Sequence, residues 1–168
     1  MAFNSPKTVA ERKLLKCLYR LGAKIDPKIK FVVDEYEETS ARTFLKTVYI
    51  NPFDVFNIME DEDILLQVTK EKGFHFDDIL MPTFLILHEI GHIIEVGQFI
   101  NYRAIQKQYF RQVDNLLKID YDKLTQMRIY KGFKVEHLAD KIAYDLYVKY
   151  YCHVKQFDKE VREILRSL

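Results

Sequence analysis

Residues 83–96 are apolar almost all the way round a helix, and three polar side chains interrupt them: His88, Glu89 and His92. Phe84, Leu85, Ile86, Leu87, Ile90, Ile93, Ile94 and Val96 leave no solvent face, so the segment has to be buried. Pro82 suits the start of such a helix and Gly97 its end. Burying two imidazoles and a carboxylate is costly unless something satisfies them. In a helix, His88 and His92 stand about 6 Å apart along the axis and about 40° apart around it. Both rings then reach a single Zn²⁺ at roughly 2.0–2.1 Å, and Glu89 sits beside the place where water would approach. A metal therefore satisfies all three groups at once. The competing reading is a pair of hydrogen-bonded core histidines.

A hydrolytic zinc usually has three protein ligands and one open position. Candidates for the third are His137, His153 and the acids beyond position 113. Residues 133–146 place Val135, Leu138, Ala139, Ile142, Ala143 and Leu146 at helical spacing, with Glu136 and Asp140 together on one face. The small Ala139 and Ala143 beside that face would let another helix come close. Glu136 is read as the third ligand. Asp140, one turn on, is read as the acceptor for the free ring N–H of a ligating histidine.

His-Glu-x-x-His followed by Glu-x-x-x-Asp on a later helix resembles the gluzincin metallopeptidases. The closer resemblance is to ImmA/IrrE-type proteins, which carry His-Glu-hydrophobic-Gly-His and then Glu-x-x-Ala-Asn/Asp. Here those motifs are His88–His92 and Glu136–Asp140, and Val48–Pro52 is similar to the strand preceding the motif helix. The resemblance covers roughly residues 28–150. It implies a zincin-like fold, a zinc held by His88, His92 and Glu136, Glu89 as general base, and a peptide or protein substrate such as a transcriptional repressor. The stretch between His92 and Glu136 is long for a compact member. Residues 98–132 therefore read as a helical insertion, either simply packed helices or one wall of a substrate cleft. His137, Tyr144 and Tyr102 are candidates to meet a developing oxyanion.

Two alternatives belong to other classes. A zinc-binding, non-proteolytic interaction or regulatory module would keep the ligands, but it has no need of Glu89. A deformylase-like hydrolase would want a cysteine ligand, and neither Cys17 nor Cys152 lies in a suitable motif.

The rest of the chain sets bounds. Its 168 residues suit one domain over 1–168, with 48% hydrophobic residues to form a core. A net charge of +1, with bases scattered among acids, leaves no footprint for nucleic acid. No run is long and apolar enough for a membrane span, and the first residues lack a signal-peptide core. Two distant cysteines fit a reducing compartment, and a cytoplasmic location is expected. Oligomeric state is left open.

The expected class is α+β: mainly helical, with a small sheet and the buried motif helix. A first helix runs from an N-cap at Ser5 to about Leu21, ended by Gly22. Strands over 29–37 and 43–50 form a hairpin or neighbours, with 38–42 as the turn. Helices follow over 60–72, 83–96, about 134–151 and 155–167. The strand at 44–50 is expected to line the zinc cleft opposite the insertion. Cys17 reads as core, the neighbours Cys152 and His153 as structural, and His75 as a surface or structural residue.

Overall fold

The computed structural model describes residues 8–56, 62–76 and 78–167. Helix α1 (Val9–Ile25) leads into strand β1 (Lys30–Val33), edge strand β2 (Ser40–Arg42), a 3₁₀ turn at Thr43–Leu45 and strand β3 (Thr47–Ile50). Helices α2 (Pro52–Phe56), α3 (Glu62–Glu71), α4 (Met81–Glu95), α5 (Tyr102–Leu116), α6 (Lys123–Tyr130), α7 (Lys134–Lys149) and α8 (Tyr151–Arg166) follow. The protein is thus mostly helical with one three-stranded sheet, an α+β arrangement. No helix among the described residues is long and apolar enough to cross a membrane.

Helix α1 starts at a capping box. The Thr8 hydroxyl accepts from Glu11 N–H, and the Glu11 carboxylate accepts from Thr8 N–H. The expected N-cap, Ser5, lies outside the described residues; the cap observed is Thr8. Gly22 does not end the helix, which continues to Ile25. A Cβ at Gly22 would lie 2.5 Å from the Phe31 ring, so glycine here lets β1 press against α1. Cys17 is buried on this helix, as its apolar neighbours implied, and Cys152 on α8 is exposed.

The sheet order is β1-β3-β2. β3 pairs in parallel with β1, Phe31 opposite Val48, and antiparallel with β2, Ala41 opposite Val48. Of the two arrangements expected from the sequence for the 29–37 and 43–50 segments, they are neighbours and not a hairpin. Residues 40–42, assigned there to a turn, form the edge strand, and β3 is central. Thr43–Leu45 make a 3₁₀ turn closed by Lys46 in the left-handed region at φ 49°, so Phe44 and Leu45 are exposed instead of lying in a strand. All four residues of β3 are buried.

One buried cluster joins Leu14 and Leu18 of α1, Phe31 and Val33 of β1, Val48 and Ile50 of β3, Phe84, Ile86, Leu87, Ile90 and Ile93 of α4, Ile142 of α7, and Phe157 and Val161 of α8. The motif helix α4 is its axis, with Ile86, Leu87 and Ile90 fully enclosed. Its first turn has no cap from its own N-cap residue, Leu80. Asp158 of α8 supplies one from elsewhere in the chain, accepting from Leu80 N–H and from the Thr83 hydroxyl, both at 2.7 Å. α4 packs chiefly on α7. A Cβ at Gly91 would meet the Ala139 carbonyl oxygen at 2.6 Å and Ala139 Cα at 3.1 Å, so this crossing brings the two backbones into contact.

Candidate metal centre

The close crossing of α4 and α7 sets the site. His88 and His92 lie one turn apart on α4, and Glu136 in the first turn of α7 faces both. His88 Nε2 is 3.1 Å from His92 Nε2 and 3.1 Å from Glu136 Oε2; His92 Nε2 is 3.6 Å from Glu136 Oε1. The two histidines form a second grouping with Glu89, without Glu136: His88, Glu89 and His92 offer ligand atoms within 4.8 Å of one another. Two acids therefore compete for the third ligand position. Glu136 is the better placed, because its carboxylate lies against both Nε2 atoms, whereas Glu89 shares a helix with the histidines and lines the adjoining cleft.

Each imidazole is steered by a buried acid on its other nitrogen. His88 Nδ1 lies 2.7 Å from Asp140 Oδ1, and a carboxylate only accepts, so Nδ1 carries the hydrogen and Nε2 faces inward. His92 Nδ1 lies 3.3 Å from Glu95 Oε1, which also accepts from the Tyr102 hydroxyl at 3.3 Å. Asp140 thus sits where the sequence placed it. Glu95, wholly buried at the end of α4, does for His92 what Asp140 does for His88. The signal for it was available, as an acid at i+3 from His92 in a helix with no solvent face.

Two further residues were not legible in the sequence. The Tyr109 hydroxyl of α5 donates to Glu136 Oε1 at 2.7 Å and lies 3.1 Å from the Tyr130 hydroxyl. Lys131, with a side chain only 4% exposed, donates to Asp140 Oδ1 at 3.0 Å and lies 3.7 Å from Glu136 Oε2. Of the other sequence candidates, His137 is exposed and stacks on Phe74 with ring centroids 5.6 Å apart. Tyr144 packs on Phe74 and Phe76, and His153 is exposed on α8. None of these three joins the cluster.

The electrostatics are those of a site rich in carboxylate. Glu89, Glu95, Glu136 and Asp140 are all buried, and among the described residues Lys131 is the one lysine or arginine buried with them. Glu95 Oε2, Glu136 Oε2 and Asp140 Oδ2 have no hydrogen-bond partner. Burial opposes ionisation of Glu136, but His88, His92 and Lys131 outweigh it and hold the carboxyl well below its usual range. For Asp140, likewise, Lys131 and His88 overcome burial. Burial pushes Glu89 up. At His88, burial and Lys131 favour the neutral ring, yet Asp140 and Glu136 prevail and raise it to about 9.

These observations fit a divalent cation. Around a tetrahedral zinc with bonds of roughly 2.0–2.1 Å, neighbouring ligand atoms are about 3.3–3.4 Å apart. His88 Nε2 stands 3.1 Å from both His92 Nε2 and Glu136 Oε2, close to that value, and His92 Nε2 meets the other Glu136 oxygen, Oε1, at 3.6 Å. The cluster of buried carboxyl groups and the Glu136 Oε2 left without a hydrogen bond are what an added cation would relieve.

A cleft of about 400 Å³ opens onto the cluster, and Glu89, His92 and Glu136 reach its floor. One wall is Thr39 to Ala41, which includes the edge strand β2; the other is Tyr102, Gln106, Tyr109 and Phe110 of α5, with Tyr130 of α6. Residues of the 98–132 segment therefore line one side of this cleft. The strand expected opposite does not, because β3 is paired on both edges, and β2 takes that place.

No family model matches this sequence, and comparisons with curated proteins and with solved structures give no match.

Proposed function

We propose that the protein is a zinc-dependent metallopeptidase of gluzincin type, with a zincin-like fold and an ImmA/IrrE-like arrangement of motifs. The observation that carries this reading is the convergence of His88 Nε2, His92 Nε2 and the two oxygens of the Glu136 carboxylate, with contacts of 3.1 to 3.6 Å, beside the Glu89 carboxylate in a cleft. When bound, zinc supplies a Lewis acid that activates a water molecule and polarises the scissile carbonyl. Glu89 takes the proton from the attacking water and passes it to the leaving amine. Asp140 and Glu95 keep the two imidazoles aimed inward.

The free edge of β2 and the aromatic wall of α5 fit an extended peptide, bound through main-chain hydrogen bonds. A regulatory protein with an accessible segment suits such a cleft. Tyr109 is the hydroxyl best placed to meet a developing oxyanion, because it lines the cleft and already donates toward Glu136. A zinc-binding module without chemistry would leave Glu89 unexplained.

The test is Glu89→Gln. Zinc content, by metal analysis of the purified protein, should stay at one per chain. Cleavage of a quenched library of unstructured peptides should fall by about 10²–10⁴-fold. Equal cleavage by wild type and variant would remove Glu89 from the mechanism, and no cleavage by the zinc-loaded wild type would remove the peptidase.

A further inference from the structure

Lys131 has no part in the chemistry above, yet it is the most unusual residue of the site. It stands at the turn between α6 and α7, its backbone N–H bonded to Met127 O, and its side chain points inward. Nζ donates to Asp140 Oδ1 at 3.0 Å and faces Glu136 Oε2 at 3.7 Å. It is 3.5 Å from His88 Nδ1, whose hydrogen already goes to the same Asp140 oxygen. The rings of Phe84 and Tyr130 flank it at 5.7 and 5.9 Å. A lysine is buried in this way only against strong compensation. Here the compensation is mutual, because Lys131 bonds Asp140 Oδ1 and is the nearest lysine to Glu136 Oε2, which has no hydrogen bond.

We propose that Lys131 is a resident counter-ion of the metal centre. In the metal-free protein its fixed charge offsets Glu136 and Asp140, and it holds α7 against α4 with both carboxylates facing the histidines. When a divalent cation arrives, the same fixed charge opposes it and loosens its binding. Lys131 is thus a positioning residue that exchanges metal affinity for a metal-free site that stays assembled. The inference rests on the metal-site reading above.

The test compares wild type with Lys131→Met, which keeps length and bulk but lacks charge. Thermal melting is followed with and without zinc, and zinc affinity is measured by competition with a chromophoric chelator. Lys131→Met should melt earlier than wild type without zinc and close to wild type with it. Its zinc Kd should be about tenfold lower, or about 1.4 kcal/mol. The thermodynamic cycle demands this pairing, because stability lost only in the metal-free form reappears as tighter binding. A lysine that merely fills space predicts equal destabilisation of both forms and an unchanged Kd. That result, or weaker zinc binding, overturns the proposal.

A second variant, Lys131→Met with Asp140→Asn, removes one charge of each sign and leaves an acceptor for His88. It should regain metal-free stability relative to Lys131→Met; failure to regain it also overturns the proposal. If Lys131→Met does not fold without zinc, rescue by zinc or by the second change supports the counter-ion, and rescue by neither refutes it. A wild type that binds no zinc removes the metal-site reading, and the two metal-free stability comparisons then decide the counter-ion alone.

Discussion

Gly91→Ala is the substitution that probes the architecture of the site without touching a polar group. The added Cβ would stand 2.6 Å from the Ala139 carbonyl oxygen, about 0.8 Å inside ordinary contact. The obstacle is backbone, so no rotamer change relieves it, and Ala139→Gly should not rescue it either. Helix α7 has to move off α4. A shift of about 0.8 Å would lengthen the 3.1 Å separation of His88 and Glu136 to about 3.9 Å, past the spacing that zinc ligands require. Overpacking of this kind costs about 1–3 kcal/mol, which for a chain of this size is about 3–10 °C in melting temperature. Misplaced ligands should weaken zinc binding by about 10–100-fold, the range seen when support of a metal site is lost. Differential scanning fluorimetry and chelator competition read the two effects. A melting temperature within about 1 °C of wild type, together with unchanged zinc affinity, would refute the argument that this crossing sets the site.

Two other outcomes follow from the same contacts. Asp158→Ala removes the remote cap of α4 and leaves the buried Thr83 hydroxyl without its acceptor; it should cost about 1–3 kcal/mol with zinc affinity unchanged, because His88 lies nearly two turns further on. A melting temperature equal to wild type would contradict the capping role. The metal-free protein should lose stability between pH 6.5 and about 9, since the His88 pKa is raised on folding; its contribution is complete below the unfolded value of 6.5 and lost as pH rises through the folded one. The loss is on the order of 3 kcal/mol, read from urea midpoints, and a profile that is flat or rises over that range would count against the His88–Asp140–Glu136 arrangement.

The parts of this structure that the sequence displayed are those written in local periodicity. A helix apolar on every side can only be buried, so α4 and its three polar interruptions were evident from residues 83–96 alone. Glu136 and Asp140 share a face by their spacing, and Ala139 beside them signalled a close neighbour, which the structure identifies as Gly91. What was hidden depends on partners distant in the chain. Ser40–Arg42 is too short to show alternation and becomes a strand only because β3 offers it an edge. Gly22 looks like a helix end until Phe31 is seen against it. Tyr109 belongs to an apolar stripe with Tyr102, Ile105 and Val113, which does not say that its hydroxyl meets Glu136. Lys131 looks like an ordinary residue of a polar segment, and its burial follows from the folding of α5 and α6 over the α4–α7 crossing. Tyr150, with φ −110° and ψ 28°, breaks the chain between α7 and α8 close to the expected end at 151, but α8 begins at Tyr151 and not at 155.

The central claim is a single cation held between α4 and α7 by His88, His92 and Glu136. Anomalous diffraction on either side of the zinc absorption edge, from crystals of the zinc-loaded protein, tests it most directly. The account predicts one peak per chain, bonded to both Nε2 atoms and to the Glu136 carboxylate at roughly 2.0–2.2 Å, with Glu89 close by but unbonded. No peak at this place, or a peak whose third protein ligand is Glu89 while Glu136 points away, would contradict it.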